Sequence, residues 1–586
     1  MCMHTPCTGR RWRNSVIHPD ELRRQAGQFD VHQVGFHPII RAYVQRLGLV
    51  ELINNLIRGQ MLVDPGIIVA GMIQDTFSGR SPLYHLKDFF TDQDTELLLG
   101  QPVDANDFCD HNVGRVLDRI YEAGPSRIFG EVARRAAVIF ELDTRAGHWD
   151  STSVSVWGEY NTSPDQEGSP LHITFGHSKD GHPDLKQFMI SMLCVEHNIP
   201  ILGDIHDGNS SDKNLNNKLL TRISKNLARH GLGEGAFTYI ADAAMVTEEN
   251  LACFDPVPDA APLYFVTRLP FTYKETSRVV TEAVQASQWE EIGVQSQSRP
   301  TPKRPSASYR AFESKVELYG RTYRAIVIHS SAHDKRRQKR LEKELAEARR
   351  KLADSIATSL NNTFFCRADA EAELARIKSL PMPFHRLEGT IEEELQYAPG
   401  RPPKQGPRKV VAHLWRIQAE IIDNADTIER KRSEAGCFVL LTNRPKEGKD
   451  AQNAEELLRT YKAQDGIERN FGFLKDPLIV NDLFLKKPER IEALGMILLL
   501  CLLIWNLMQR QMRRHLEKNK SLIEGWDRRS TDRPTSYMMT TKFRNILILK
   551  VGQTRVLKKP LTLTQQAYLK ALGLTEAIFI ATHPPP

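Results

Sequence analysis

Tyr461, Gln464, Glu468 and Lys475 fall in the stretch YKAQDGIERNFGFLK. On one continuous helix, at about 100° per residue, they would lie within roughly 60° of each other: one acid flanked by groups suited to gripping phosphate. A solvated amphipathic face would show the same stripe, so its meaning depends on what the rest of the chain supplies. Asp150 lies in HWDSTSVSVWG, an alternating run that reads as a strand. An aspartate at a central strand position is unfavourable without a partner or a metal. Asp242 ends FTYIAD, at the C-terminal edge of a strand, where ligand sites gather in open α/β sheets. Adjacent strands would hold these two carboxylates a few ångströms apart. With a third oxygen ligand from a nearby helix, they suit Mg²⁺ or Mn²⁺. Two such ions can activate an attacking oxygen and stabilise a leaving one at a phosphodiester. Either aspartate alone also reads as a turn or capping residue.

The elements that must position these acids follow from the periodicity. From about residue 148, HWDSTSVSVWG, LHITFGHS and LKQFMISMLCVE running on to IPIL give three strands in a row, which suggests an antiparallel meander. SSDKNLNNKLLTRISKNLARHGL is an amphipathic helix with a Ser/Asp cap and a closing glycine. The strand FTYIADAAM, the helix TEENLACF and the strand LYFVTRLP complete the order βββαβαβ, a mixed sheet with helices on its faces and the order of a ribonuclease H-like fold. Upstream, residues 1–140 read as a helical N-terminal domain, which fits either a DNA-binding helix-turn-helix or a lead-in that packs on the next domain.

The chain has 586 residues, 41% hydrophobic and 26% charged, enough for two to four domains. Its net charge of +7 is unevenly spread: residues 301–352 hold 15 Lys/Arg against 6 Asp/Glu, and residues 509–560 hold 14 against 4. Basic blocks on an otherwise acidic chain suit a polyanion, though solvated surface has the same composition. The eight cysteines are scattered without a CxxC pair, so reduced thiols are expected; Cys2, His4 and Cys7 would touch a metal only if a frayed terminus were ordered. The N-terminal MCMHTPCTGRRWRNS lacks the apolar stretch of a signal peptide. The apolar run Ala493 to Trp505 is shorter than the roughly 20 residues a bilayer requires, so a core helix, no membrane partner and a cytoplasmic location are expected.

Taken together, WDSTSVSVWGEY around Asp150, YIADAAMVTEENL around Asp242 and the Tyr461 stretch resemble the bacterial insertion-sequence transposases of the DDE class. The last of these is similar to that group's signature Y-x2-R-x3-E-x6-K, with Gln464 in place of arginine. SKDGHPDLKQF and DGNSSDKN resemble segments between the first two acids. The resemblance runs from about 140 to 510 and implies a ribonuclease H-like mixed-sheet core, 141–271 and 433–510, interrupted by a β-rich insertion at 272–432 and followed by a basic C-terminal tail at 511–586. It also implies a catalytic and metal-binding triad of Asp150, Asp242 and Glu468 with two Mg²⁺ or Mn²⁺ ions. Tyr461, Gln464 and Lys475 would contact DNA, and Trp289 or Trp415 would stack on a base flipped out beside the cleavage point. Gln464 keeps a hydrogen bond but loses the charge and the bidentate fork. Asp143, Asp204, Asp207 and Asp212 are assigned to turns, and His182 and Asp184 to a hairpin, all outside the site.

The resemblance implies a DNA transposase acting on double-stranded DNA, both terminal inverted repeats and target, as a homodimer in a synaptic complex. A ribonuclease H-type nuclease or resolvase would use the same acids without needing the insertion, and a non-catalytic DNA-binding derivative would be expected to have lost one.

Overall fold

The computed structural model describes residues 30–57, 59, 61–79, 85–160, 171–225, 236–258, 260–294, 306–401, 406–476 and 485–583, without the side chain of Asp465. Cys2, His4 and Cys7 lie outside the described residues, as do parts of both Pro-rich breaks, the end of the SSDKNLNN helix and Pro477. The chain divides into two compact units, one of residues 1–263 with 463–586 and the other of residues 264–462.

The first unit opens with β1 (Asp30–Gln33) and the helices α1 (His37–Arg46), α2 (Leu49–Leu56), α3 (Pro65–Phe77), α4 (Leu86–Thr91), α5 (Thr95–Leu99), α6 (Asp110–Ala123) and α7 (Pro125–Ile139). Proline in the first turn of α1, α3 and α7 costs no hydrogen bond there and presets the helical φ. Next come β2 (Ala146–Val156), β3 (Lys186–Val195), β4 (Ile199–His206), α8 (Asp212–Lys225), β5 (Phe237–Ile240) and α9 (Glu248–Ala252). β2, β3 and β4 form an antiparallel meander, and β5 joins the other edge of β2 in parallel, so the sheet is mixed. LHITFGHS is not the second strand expected: it makes a single bridge, Thr174 to Gln187, and the meander is built from the segments on either side.

The second unit holds β6 (Leu263–Leu269), α10 (Lys274–Ala286), β7 (Glu290–Val294), β8 (Ser308–Leu318), β9 (Arg321–Ser330), α11 (Ser331–Asn361), β10 (Thr363–Phe364), α12 (Arg367–Lys378), β11 (His385–Tyr397), β12 (Val410–Asp423), α13 (Ala425–Glu434), β13 (Cys437–Thr442) and α14 (Ala454–Lys462). β6, β13, β9, β8 and β7 pair antiparallel in that order. The β8–β9 hairpin turns at Tyr319 and Gly320, both with positive φ, 51° and 73°, as a two-residue turn matched to the strand twist requires. A smaller sheet, β10-β12-β11, closes a local core of Leu352, Ile356, Ile377, Leu387 and Ile417 against α11 and α12.

The chain then returns to the first unit with α15 (Asp465–Leu474), α16 (Pro488–Lys518), β14 (Ile523–Glu524), β15 (Ser530–Thr531), α17 (Ser536–Phe543), β16 (Leu547–Val551), β17 (Thr554–Leu557) and α18 (Leu563–Leu572). α16 has 31 residues, and an 18-residue window of it is long and apolar enough to cross a membrane; 89% of that window is buried. It packs against β4 and helices α3, α6, α7 and α18, which explains an apolar pattern on every face. Residues after 511, expected as a basic tail, are folded into this unit: β16 pairs with β1, and Arg555 on β17 is bound to Asp94 and Glu96. Several of these basic side chains are therefore occupied by internal carboxylates. The buried Arg41 closes the same region, donating to the carbonyls of Leu97, Ile578, Ala581 and Thr582.

Candidate active site

The parallel pairing of β2 with β5 ends with His148 level with Ile240. Asp150 and Asp242 each follow that last pair by two residues, Asp150 still on β2 and Asp242 just beyond the end of β5, near enough for the charge of one to act on the other. β5 is FTYI, buried at every position, and the chain leaves it at Asp242, whose carboxylate accepts the Ala244 N–H at 3.1 Å and caps a short 3₁₀ turn. Asp150 Oδ1 accepts its neighbour Ser151 N–H at 2.7 Å.

Burial pushes the Asp150 carboxyl up to about 6; Lys179 and the Ser151 N–H oppose the rise, while the charges of Asp242 and Asp212 add to it. Asp242 is raised too, first by burial and then by Asp212. Two neighbouring carboxylates raised in this way are a charge-poor, anion-crowded site of the kind that functional centres display.

Asp212 is the residue that sequence reasoning set aside as a turn. It is the first residue of α8, behind Ser211, whose hydroxyl accepts the Asn214 N–H at 3.4 Å, and it receives a short hydrogen bond from the Ser151 hydroxyl. Lys179, from the SKDGHPD turn, reaches into the same place. Its ammonium lies 3.1 Å from Asp212 Oδ2, 3.9 Å from Asp150 Oδ1, 2.7 Å from the Ser151 carbonyl and 3.1 Å from the Ser151 hydroxyl. The one available sequence signal for Asp212 was its helix-start position, which places a carboxylate at the end of an element rather than in a loose turn.

The helix that carries Glu468 differs from the expectation. The stretch Tyr461 to Lys475 is not one helix: a turn at Ala463 and Gln464 separates α14 from α15. A single 100° phase therefore does not relate Tyr461 to Glu468, and the four-residue stripe does not exist as predicted. Gln464 is the N-cap residue of α15, half-buried and without a capping bond, and Lys475 is its C-cap. Tyr461 belongs to the second unit, where it lies near Arg268.

Within the first unit, α15 packs on β2. Asn470 fixes it there, its amide donating to the Asn198 carbonyl at 2.8 Å and approaching Cys194 Sγ at 3.4 Å, while Asn506 donates to its carbonyl oxygen at 3.0 Å. Asn470 also approaches Met192, the cross-strand partner of Asp150, so α15 covers the sheet face on which Asp150 stands. Glu468 is exposed on the flank of this helix. Lys475, seven residues on and so within about 20° of it around the axis, pairs with Asp180 at 2.6 Å, next to Lys179. That flank therefore faces the turn that delivers Lys179 to the acids. We expect Asn470→Ala to lower stability by about 2 kcal/mol, because the Asn506 amide loses one of its two acceptors and the Asn198 carbonyl one of its two donors; urea unfolding reads the loss.

Trp289 and Trp415 are both half-buried in the second unit. Arg310 lies 5.2 Å over the Trp289 ring, which also meets Phe312 and His329 edge-on; Arg367 lies 5.6 Å over Trp415.

Among the described residues, no three His, Cys, Asp or Glu side chains stand close enough to hold a metal ion. In chemistry, the oxygen donors gathered here are of the kind that a hard divalent cation takes. Carboxylate and hydroxyl oxygens of Asp150, Asp212 and Ser151 surround one positive charge, the Lys179 ammonium, which stands in for a cation.

Residues 29–134 match a family described as a domain of unknown function, DUF4277. No curated protein matches the chain. Among solved structures, the chain is similar to a piggyBac transposase synaptic complex with hairpin DNA, at 10% identity and a TM-score of 0.33, over 80% of this chain and 73% of that one. A likeness that loose leaves the chemistry to be argued from the residues of this chain.

Proposed function

We propose that this protein is a metal-dependent DNA transposase of the DDE class, with a ribonuclease H-like core, that cleaves at the ends of an insertion sequence and joins them to target DNA. The observation that carries the reading is that Asp150, on β2, and Asp242, just past the end of the parallel strand β5, lie close enough for their charges to interact, with the helix that bears Glu468 packed on β2. Asp150, Asp242 and Glu468 would hold Mg²⁺ or Mn²⁺, with Asp212 close to the two aspartates. When bound, such ions supply Lewis-acid polarisation of a phosphodiester and a more acidic attacking water or hydroxyl. The chain's own part is to place oxygen ligands on a rigid strand pair, and to offer the exposed Glu468 carboxylate as an acceptor for the proton of the attacking group.

Gln464 and Lys475 bracket α15 and would contact the DNA backbone, Lys475 after exchanging Asp180 for a phosphate. Tyr461, Trp289 and Trp415 are proposed DNA contacts of the second unit. The substrate would be double-stranded DNA with terminal inverted repeats, held by a dimer.

The test is incubation of the purified chain with DNA carrying the inverted repeats that flank its gene. Cleavage at the repeat ends with Mg²⁺, and none with EDTA, is expected. Cleavage that persists in EDTA, or metal-dependent cleavage without preference for those ends, would sink the transposase reading, the latter in favour of a general nuclease.

A further inference from the structure

Lys179 is held more elaborately than a surface lysine needs to be. Its N–H donates to the Ser153 hydroxyl at 3.0 Å, and its ammonium donates to the Ser151 carbonyl and hydroxyl and meets Asp212 and Asp150. The turn itself is built, since the Ser178 hydroxyl accepts the N–H groups of Asp180 at 3.3 Å and His182 at 3.1 Å, and Lys475 grips Asp180 from α15. Both flanks of the turn are thus anchored while its lysine fills the space between acids.

Asp150, Asp242 and Asp212 influence one another electrostatically, and the charge of Lys179 opposes that on both Asp150 and Asp242. Three carboxylates grouped near the Lys179 ammonium suit a divalent ion better than a monovalent one. A metal bound to Asp150 and Asp212 would compete with the ammonium for the space and the carboxylate oxygens it now occupies.

We propose that Lys179 is the resident counter-ion of this acidic cluster and Asp212 a metal-side member of it, so that a divalent cation enters only as the Lys179 ammonium leaves. The inference rests on the metal-dependent reading of the site. Lys179 holds the carboxylates together while metal is absent, and its release adds a positive charge beside an arriving phosphodiester at the moment the metal is in place.

The experiment uses the full chain without DNA and follows Mn²⁺ binding by electron paramagnetic resonance. Lys179→Met is expected to bind Mn²⁺ about tenfold more tightly than the unaltered protein, since no ammonium has to be expelled. Asp212→Asn is expected to weaken binding about tenfold, and Lys179→Arg to leave it equal or weaker. Acetylation of the Lys179 amine in the unaltered protein, read by mass spectrometry, should rise severalfold on adding saturating Mn²⁺. This arm decides the question if Lys179→Met does not fold. Unchanged or weaker binding by folded Lys179→Met, with Asp150→Asn still abolishing binding, would overturn this inference and leave the metal reading intact. Unchanged acetylation under saturating Mn²⁺ would do the same. Binding insensitive to Asp150→Asn would overturn both.

Discussion

Asp150→Asn is expected to abolish Mg²⁺-dependent DNA cleavage, by at least about 10³-fold, while making the metal-free protein more stable. The activity loss follows from removing a charged oxygen ligand from the strand pair that defines the site. The stability gain follows from the same geometry, because burial and the charges of Asp242 and Asp212 lift the Asp150 carboxyl to about 6 from an ordinary 3.8. A carboxyl that is harder to ionise in the folded chain than in the unfolded one costs stability as pH rises. The penalty is absent below about 3.8, grows between 3.8 and 6, and is complete above that, at up to about 3 kcal/mol. Thermal unfolding in EDTA should therefore show Asp150→Asn above the unaltered protein at pH 8, with the difference shrinking as pH falls toward 4. Cleavage assays with Mg²⁺ on the same two proteins supply the other half. A variant that loses stability at pH 8 while losing activity would mean that Asp150 is a structural residue, and the site would have to be sought elsewhere.

Arg555→Met should have the largest effect on folding, about 3 to 5 kcal/mol, because it leaves a buried charge without its main partner. The Asp94 side chain is fully buried, and Arg555 grips it through two hydrogen bonds of 2.6 and 3.0 Å. Burial alone would raise the Asp94 carboxyl, yet the hydrogen bonds from Arg555 and the Leu97 N–H, with the charges of Arg555 and Lys550, overcome it and leave the group below its usual range. A depressed carboxyl contributes stability that is present above its unfolded value of 3.8 and is lost as pH falls through the lower folded one. Without Arg555 the burial effect gains the upper hand, and protonation of Asp94 then relieves the variant. The gap between Arg555→Met and the unaltered protein should accordingly be widest near pH 7 and narrower at pH 4.5, by urea unfolding at the two values. Pairing Arg555→Met with Asp94→Leu should recover much of the loss. No recovery would show that Arg555 acts through Glu96 or through its packing instead.

The two effects differ in what they say about legibility. The strand settings of Asp150 and Asp242 were readable because strand periodicity and strand ends are local properties: HWDSTSVSVWG alternates, and FTYI ends two residues before Asp242. The order βββαβαβ was readable for the same reason, although its second strand proved to be Lys186–Val195 and not LHITFGHS. Arg555 and Asp94 were not, since they are 461 residues apart and neither sits in a pattern. A basic composition could be read at the C-terminus, but not that its arginine is spent on an internal carboxylate.

What the sequence determined by itself is which residues are able to act as acids, and which of them stand on strands, because side-chain chemistry and hydrophobic period are written residue by residue. What only the tertiary structure decided is their company. It broke the expected helix at Ala463 and Gln464, although neither residue disfavours a helix. It docked α15 so closely that a Cβ on Gly466 would lie 1.9 Å from the Asn198 amide. It brought Lys179 across 33 residues to Asp212, turning a residue that read as part of a loop into a member of the acidic cluster. Charge pairing at such separation depends on how strands and turns are stacked in space, and no local pattern in the chain encodes that distance.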